Sequence, residues 1–324
     1  MLYEKKKLRV SRKGNGIKMN KPLVSYVVTT YNIEKYIEES IRCAFEQTYS
    51  PLEIILSDDC STDCTFEIME RMAKEYSGPH KIVLNRNEEN LGITKHMNRA
   101  YLELTTGEII VAAHGDDLSR SDRTEKSVEY LENHPEVTAV SFSIDAISEK
   151  GEILREHSAI VDKIHTYTFE GGGNIPAPSR AFYKRVLTTF GPLNDDCPTE
   201  DELISFRALM LGENAFLPEH MVQYRKHSGS SSNPENFAKF PLEKILKQQD
   251  DDMKKGIELG LITEEDREEK YAILEKMTEI RKRYRVYFAK RKVIDLIKLV
   301  CYHDVSLKMK LHYIREHMEY IRRK

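Results

Sequence analysis

The chain has 324 residues, 40% hydrophobic and 32% charged, with a formal net charge of -3. That apolar share, with only 15 glycines and 11 prolines, excludes a disordered chain, and no run of about 18 uncharged apolar residues exists to span a bilayer. The near-neutral balance is unevenly spread, with +7 over Met1 to Lys21, +10 over Arg281 to Lys324 and -20 between them.

Leu23 to Thr30 is a short β-branched run between Pro22 and the polar pair Tyr31-Asn32, which predicts a buried strand. Ile33, Tyr36, Ile37, Ile41, Ala44 and Phe45 then recur at helical spacing until Pro51 stops them. The alternation repeats: strand Glu53 to Leu56, helix Thr65 to Tyr76, strand Ile82 to Leu84, helix Ile93 to Leu104, strand Glu108 to Ala113. Such a series predicts βαβ units and a mainly parallel sheet with helices on both faces, and ligands beyond the carboxyl ends of its strands. A helix over Asp122 to Asn133, a strand over Val137 to Ile144 and a hairpin turn at Glu149 to Glu152 follow. Gly171 to Pro178 is too rich in Gly and Pro for regular structure, and helices are expected over Arg180 to Thr188 and Asp201 to Leu211. After Ser228 to Pro234 the chain turns charged with helical periodicity, which sets three regions: a basic tail over 1–21, a catalytic domain over 22–234 and a helical extension over 235–324. Within the extension, Leu307, Leu311, Ile314, Met318 and Ile321 recur at 4-3-4-3 spacing, and Val293-Ile294-Asp295-Leu296-Ile297-Lys298-Leu299-Val300 precedes them. That spacing suits packing on the catalytic domain, a homodimer seam or an amphipathic helix on anionic lipid.

The five cysteines, an odd number, and a basic start without an apolar stretch are read as free thiols in a reducing compartment and no signal peptide. Cys60 and Cys64 lack a second pair, so a zinc site is not expected. Three acidic sets fall at element ends: Asp58-Asp59, Asp116-Asp117 and Glu200-Asp201. Singly, each reads as a turn or helix cap; together at one sheet edge they would repel without a cation, and carboxylates suit Mg or Mn, which suit phosphates. No glycine-rich phosphate loop follows any strand, which disfavours a dinucleotide site and a P-loop. Tyr224-Arg225-Lys226-His227 supplies cations for phosphate and an imidazole for a metal, or else a solvated strand end.

In order, these residues resemble the family 2 glycosyltransferases of the GT-A fold, in the branch with GDD at the metal motif. Val27 to Asn32 resembles the first strand and nucleotide-contacting turn, Glu53 to Asp63 the second strand with its acidic turn, and Asn87 to Gly92 with Thr106-Gly107-Glu108 the lead into Gly115-Asp116-Asp117. Lys126, Leu131 and His134-Pro135-Glu136 fit the same branch; Gly173 to Ser179 resembles the loop before the acceptor region, Thr199-Glu200-Asp201 the base motif, and Tyr224 to Ser228 the closing metal and diphosphate motif. The family's Asp two places before the metal ligand is here His114, which would ligate, donate to a phosphate or only fill space.

The resemblance implies an α/β, GT-A type fold: a mainly parallel central sheet flanked by helices, with a C-terminal helical extension. It implies an inverting glycosyltransferase taking a sugar from a UDP-linked donor to a hydroxyl of a saccharide or lipid-linked acceptor, in envelope or capsule polysaccharide synthesis. Asp201 would be the base, with Glu200 as the alternative; Asp116, Asp117 and His227 would hold Mn2+ or Mg2+. Thr30, Tyr31, Asn32, Asp58, Asp59, Asn90, Asp116 and Arg225 would bind the donor, the Tyr by stacking and Asp58 through the base. No nucleic acid is expected, and the location expected is the cytoplasm, peripheral to the inner membrane face. The other readings are a non-catalytic nucleotide-sugar or polysaccharide-binding protein of the same fold, and a sugar-phosphate nucleotidyltransferase.

Overall fold

A computed structural model describes residues 21–157, 164–169, 177–229 and 241–322. The basic tail up to Asn20, most of the Gly171 to Pro178 loop and the Ser230 to Pro234 boundary lie outside the described residues.

The first half alternates as the sequence predicts. Strands β1 (Val24–Thr30), β2 (Leu52–Asp58), β3 (Lys81–Arg86) and β4 (Ile109–His114) lie in the order β3-β2-β1-β4, all parallel. They alternate with α1 (Ile37–Phe45), α2 (Thr65–Glu75) and α3 (Ile93–Asn98), which continues as a π-helical turn over Arg99–Glu103. Successive strand residues point to opposite faces. Val24, Tyr26 and Val28 of β1 therefore join Ile54, Val111 and helices α1 and α2 in one core, while Val27, Ile55 and Ile110 join Met97 and Tyr101 in the other. The hairpin turn lies between β6 (Val137–Ile147) and β7 (Ile153–His157), with Gly151 in the left-handed region at φ 84°. A two-residue strand, β5 (Leu118–Ser119), and α4 (Arg123–Asn133) precede them, and β8 (His165–Tyr167) follows.

One expected helix is corrected. Only Arg185–Thr188 (α5) is helical in the stretch Arg180 to Thr188; Ala181–Tyr183 forms strand β9, antiparallel to both β4 and β6. Two strand edges need backbone partners there, and alternation suits the cores: Ala181 enters one and Phe182 the other. The sheet is consequently mixed. Because β9 runs against both neighbours, β6 and the parallel strand β10 (Glu213–Arg225) run with β1 and β4, and their carboxyl ends reach the same edge. The sequence suggested no element for most of β10, the longest strand.

Helix α6 (Asp201–Leu211) covers the second core, and α7 (Leu242–Glu258) packs on it through Leu242 and Ile245. The junction carries a buried ion pair, Arg207 Nε and Nη2 to Asp252 Oδ2 and Oδ1, each 2.8 Å. A capping box of Thr263 and Asp266 starts α8 (Glu264–Lys290), which forms a third cluster with α9 (Val293–Val300) and α10 (Leu307–Arg322) through Ile280, Tyr287, Leu296 and Tyr313.

Candidate active site

The carboxyl ends of β1 and β4, the start of α6, the end of β10 and one face of α8 surround a cleft of about 960 Å3. Thr30, Tyr31, Asp59, Asn90, Asp116, Glu200, Asp201 and His227 line it; Asn32, Asp58, Asp117 and Arg225 do not.

At the β1–β2 end, the left-handed Asn32 (φ 51°) accepts the Thr62 N–H through Oδ1 at 2.8 Å and fastens the two strand ends. Fully buried Asp58 accepts the Ser61 N–H at 2.9 Å and the Thr30 hydroxyl at 3.2 Å, so both its oxygens face inward. Its neighbour Asp59 reaches the cleft and holds the following loop, accepting from Leu91 and Gly92 N–H at 2.9 and 3.0 Å. Gly92 is needed there, since its φ is 75°. Tyr31 is 45% exposed on the cleft wall.

The turn after β4 carries the second group. Gly115 packs so closely that any side chain would run into Thr30, Ile33 and Ile37. His227 Nε2 lies 2.9 Å from Asp116 Oδ2, and its ring packs 4.9 Å from Tyr36. Buried Asp117 accepts the Arg225 N–H at 2.9 Å through Oδ1, while Oδ2 has no hydrogen-bond partner among the described residues and lies 3.7 Å from His114 Nδ1. Ligand atoms of His114, Asp116 and Asp117 fall within 4.8 Å of one another. Burial alone would lower His114, yet Asp117, Asp116 and Glu200 outweigh it and lift the imidazole to about 9. Burial and the Asp116 charge push Asp117 up to about 6, whereas His227 and His114 overcome burial to hold Asp116 below its ordinary value. Two crowded carboxylates, one with an orphaned buried oxygen, and two imidazoles make a donor set that fits Mn2+, and Mg2+ through the oxygens.

Arg225 is not open to a phosphate. Its guanidinium is 2% exposed and donates to the Asp116 and Glu149 carbonyls at 3.1 and 3.0 Å and to Glu39, over the Tyr36 ring.

The third group begins α6. Burial and the Asp201 charge push Glu200 up to about 8. Sequence reasoning missed residues of α8 that share this cleft: Arg281, Tyr284 and Arg285, whose 3-4 spacing was the only signal.

Residues 25–191 match the family described as glycosyl transferase family 2. A relative from Haemophilus influenzae named "Uncharacterized glycosyltransferase" is 30% identical over 245 residues, 71% of this chain and 73% of its own. Two further curated relatives are spanned over only 46% and 59% of their own length. Among solved structures, S. aureus TarS in complex with UDP-GlcNAc matches with TM-score 0.61 at 18% identity, over 91% of this chain and 80% of that one. The mannosyltransferase PcManGT from Pyrobaculum calidifontis, in complex with GDP-Man and Mn2+, matches with TM-score 0.57 at 19% identity, over 94% and 81%. At those identities the likeness is one of fold, the GT-A arrangement. With its family match over half its length and an acid-rich cleft at the sheet's carboxyl edge, this chain belongs to glycosyl transferase family 2 and is a glycosyltransferase.

Proposed function

We propose that the enzyme transfers a sugar, with inversion, from a UDP-linked donor to a hydroxyl of a saccharide or lipid-linked saccharide acceptor, in the assembly of an envelope or capsule polysaccharide. One observation carries the reading: a single cleft gathers the Tyr31 ring, the His114, Asp116 and His227 group and the Glu200-Asp201 pair. Tyr31 stacks on the base, and Asp59, rather than inward-facing Asp58, is the carboxylate on that wall. His114, Asp116, Asp117 and His227 would hold the divalent ion, which when bound offsets the charge of the departing diphosphate. Asp201 accepts the acceptor's proton. Burial and the Asp201 charge push Glu200 up and favour its protonated form, so of the adjacent pair Asp201 is the member assigned as base in a single displacement.

A purified chain should gain thermal stability with UDP only when Mn2+ or Mg2+ is present, by about 2.7 kcal/mol at a hundredfold excess over Kd, and Asp116→Ala should abolish the gain. A shift of the same size without metal refutes the assignment of these ligands.

A second observation favours contact with anionic lipid. Val293, Ile294, Ile297, Leu307 and Leu311 of α9 and α10 are 47–73% exposed, beside Lys292, Lys298, Lys308 and Lys310. No helix among the described residues is long and apolar enough to cross a membrane. The chain should sediment with vesicles containing phosphatidylglycerol and not with phosphatidylcholine alone, and Ile297→Glu with Leu311→Glu should release it; equal sedimentation with both lipids overturns this contact.

A further inference from the structure

His96 of α3 is a buried titratable side chain on the cleft wall, 4% exposed and lining the same cleft as Tyr31 and Asp59. Its Nε2 lies 2.9 Å from Ser57 Oγ, and its Nδ1 makes no hydrogen bond among the described residues. Nδ1 is not among the buried atoms cut off from both solvent and partners, so it opens on the cleft.

Hydrogen-bond accounting fixes which ring nitrogen carries the proton. Ser57 is fully buried, and its Oγ accepts from Asn85 Nδ2 at 3.1 Å. Among the described residues the one acceptor left for the Ser57 hydroxyl proton is His96 Nε2. Nε2 therefore accepts, the ring proton sits on Nδ1, and a neutral imidazole offers one N–H to the cleft. Burial outweighs the Asp59 and Asp58 charges, lowers His96 and favours that neutral form. The relay continues from Asn85 Nδ2 to Asn87 Oδ1 at 3.1 Å and from Asn87 Nδ2 to Asp59 Oδ1 at 2.8 Å, so one network holds His96 and Asp59. Asp59 Oδ1 is filled by Asn87 and Leu91, whereas Oδ2 receives only the Gly92 N–H among the described residues and keeps a lone pair.

This donor and acceptor stand at the carboxyl end of β2, two strands from β4 in the order β2-β1-β4, or about 10 Å at the usual strand spacing. With the diphosphate at Asp116, that is the base end of a bound nucleotide. A donor beside an acceptor matches an N–H beside a C=O, which uracil presents at N3 and its flanking carbonyls; cytosine presents a bare N3 beside an amino group.

Resting on the proposed UDP-linked transfer and deepening it, we infer that His96 is a specificity-determining residue for the donor's base: its Nδ1–H donates to a uracil carbonyl oxygen flanking the N3–H that faces Asp59. Ser57 sets the tautomer before the nucleotide arrives, and cytidine nucleotides cannot match both members of the pair.

The test is calorimetric titration of the full chain, with Mn2+, by UDP, CDP, 2-thio-UDP and 4-thio-UDP. UDP should bind about tenfold or more tightly than CDP, a gap of about 1.4 kcal/mol. Sulfur accepts hydrogen bonds poorly, so one thio nucleotide should bind about fivefold more weakly than UDP, the net worth of one hydrogen bond, and the other within about twofold. His96→Leu, which keeps an apolar side chain and removes the donor, should bring the weaker thio nucleotide within about twofold of UDP. Parity of UDP with CDP, no loss with either thio nucleotide, or equal loss with both overturns the inference in the unmodified protein, and so does a loss that persists in His96→Leu. Nitrogen-15 spectra of the unmodified chain give a second measurement: His96 should be neutral with its proton on Nδ1, and that resonance should move when UDP binds. A proton on Nε2, or a resonance that ignores UDP, overturns the inference. Failure of the unmodified chain to bind UDP with Mn2+ is a distinct result, which overturns the UDP-donor reading and this contact with it.

Discussion

Replacing Asp252 by Ala tests whether α7 and the sheet domain form one folding unit. Its carboxylate receives two parallel 2.8 Å bonds from the fully buried Arg207 of α6 and a third, 2.9 Å, from Gln248. Without it the guanidinium keeps, among the described residues, the Gly191 carbonyl at 2.6 Å and the Phe190 ring. Breaking such a pair from one side destabilises by about 3–5 kcal/mol, because the remaining charge is buried without a counter-charge. At roughly 2–4 °C per kcal/mol for a chain of this size, Tm should fall by on the order of 10 °C. Burial holds Asp252 above its ordinary value despite Arg207, so desolvation outweighs the attraction. The double replacement Arg207→Met with Asp252→Leu, which removes both charges, should therefore recover most of the loss. Urea unfolding followed by circular dichroism on the unmodified chain, Arg207→Met, Asp252→Leu and the double variant measures the coupling. A loss under about 1 kcal/mol for Asp252→Ala, or a double variant as unstable as the two single losses added, refutes the reasoning.

Two further outcomes concern the cleft. Asp201→Asn should bind UDP within twofold of the unmodified enzyme while turnover drops by about 10²–10⁴, the usual contribution of a positioned base; undiminished turnover moves the base elsewhere. Glu200 sits at about 8 against an ordinary 4.5, so between those values the folded protein holds more protons than the unfolded chain and stability falls as pH rises. His114 acts in the same direction from 6.5 to about 9, its contribution full below the lower value and lost through the upper. Melting in EDTA across this range should show the decline, and Glu200→Gln should flatten it; an unchanged slope contradicts the assignment.

The parallel half of the sheet was legible because each strand carries its own signal: Leu23 to Thr30 and Glu108 to Ala113 are apolar runs between polar turns. Strand β9 was not, because three residues carry no period and only the waiting edges of β4 and β6 decide their conformation. The acidic sets were readable as a group at one edge. Which member of a pair lines the cleft was not, since Asp58 and Asp59 differ only in which way one backbone step turns them. Arg225 looked like a phosphate ligand because composition reports a charge, not whether its donors are already engaged. Arg281 and Arg285 were hidden for the opposite reason: they lie far along the chain from the motifs they face, inside a run of charges that reads as a solvated helix.

The packing of Arg225 ties three remote pieces of chain into one mechanical unit: α1 through Glu39, the β6–β7 turn through Glu149, and the Asp116 carbonyl. A change at the tip of that hairpin can thus displace the Asp116 carboxylate without approaching it. Sequence drift in this surface turn, which would ordinarily be silent, is coupled to the turn after β4 that carries Asp116 and Asp117, and chimeras that exchange the hairpin between relatives would have to carry α1 along with it.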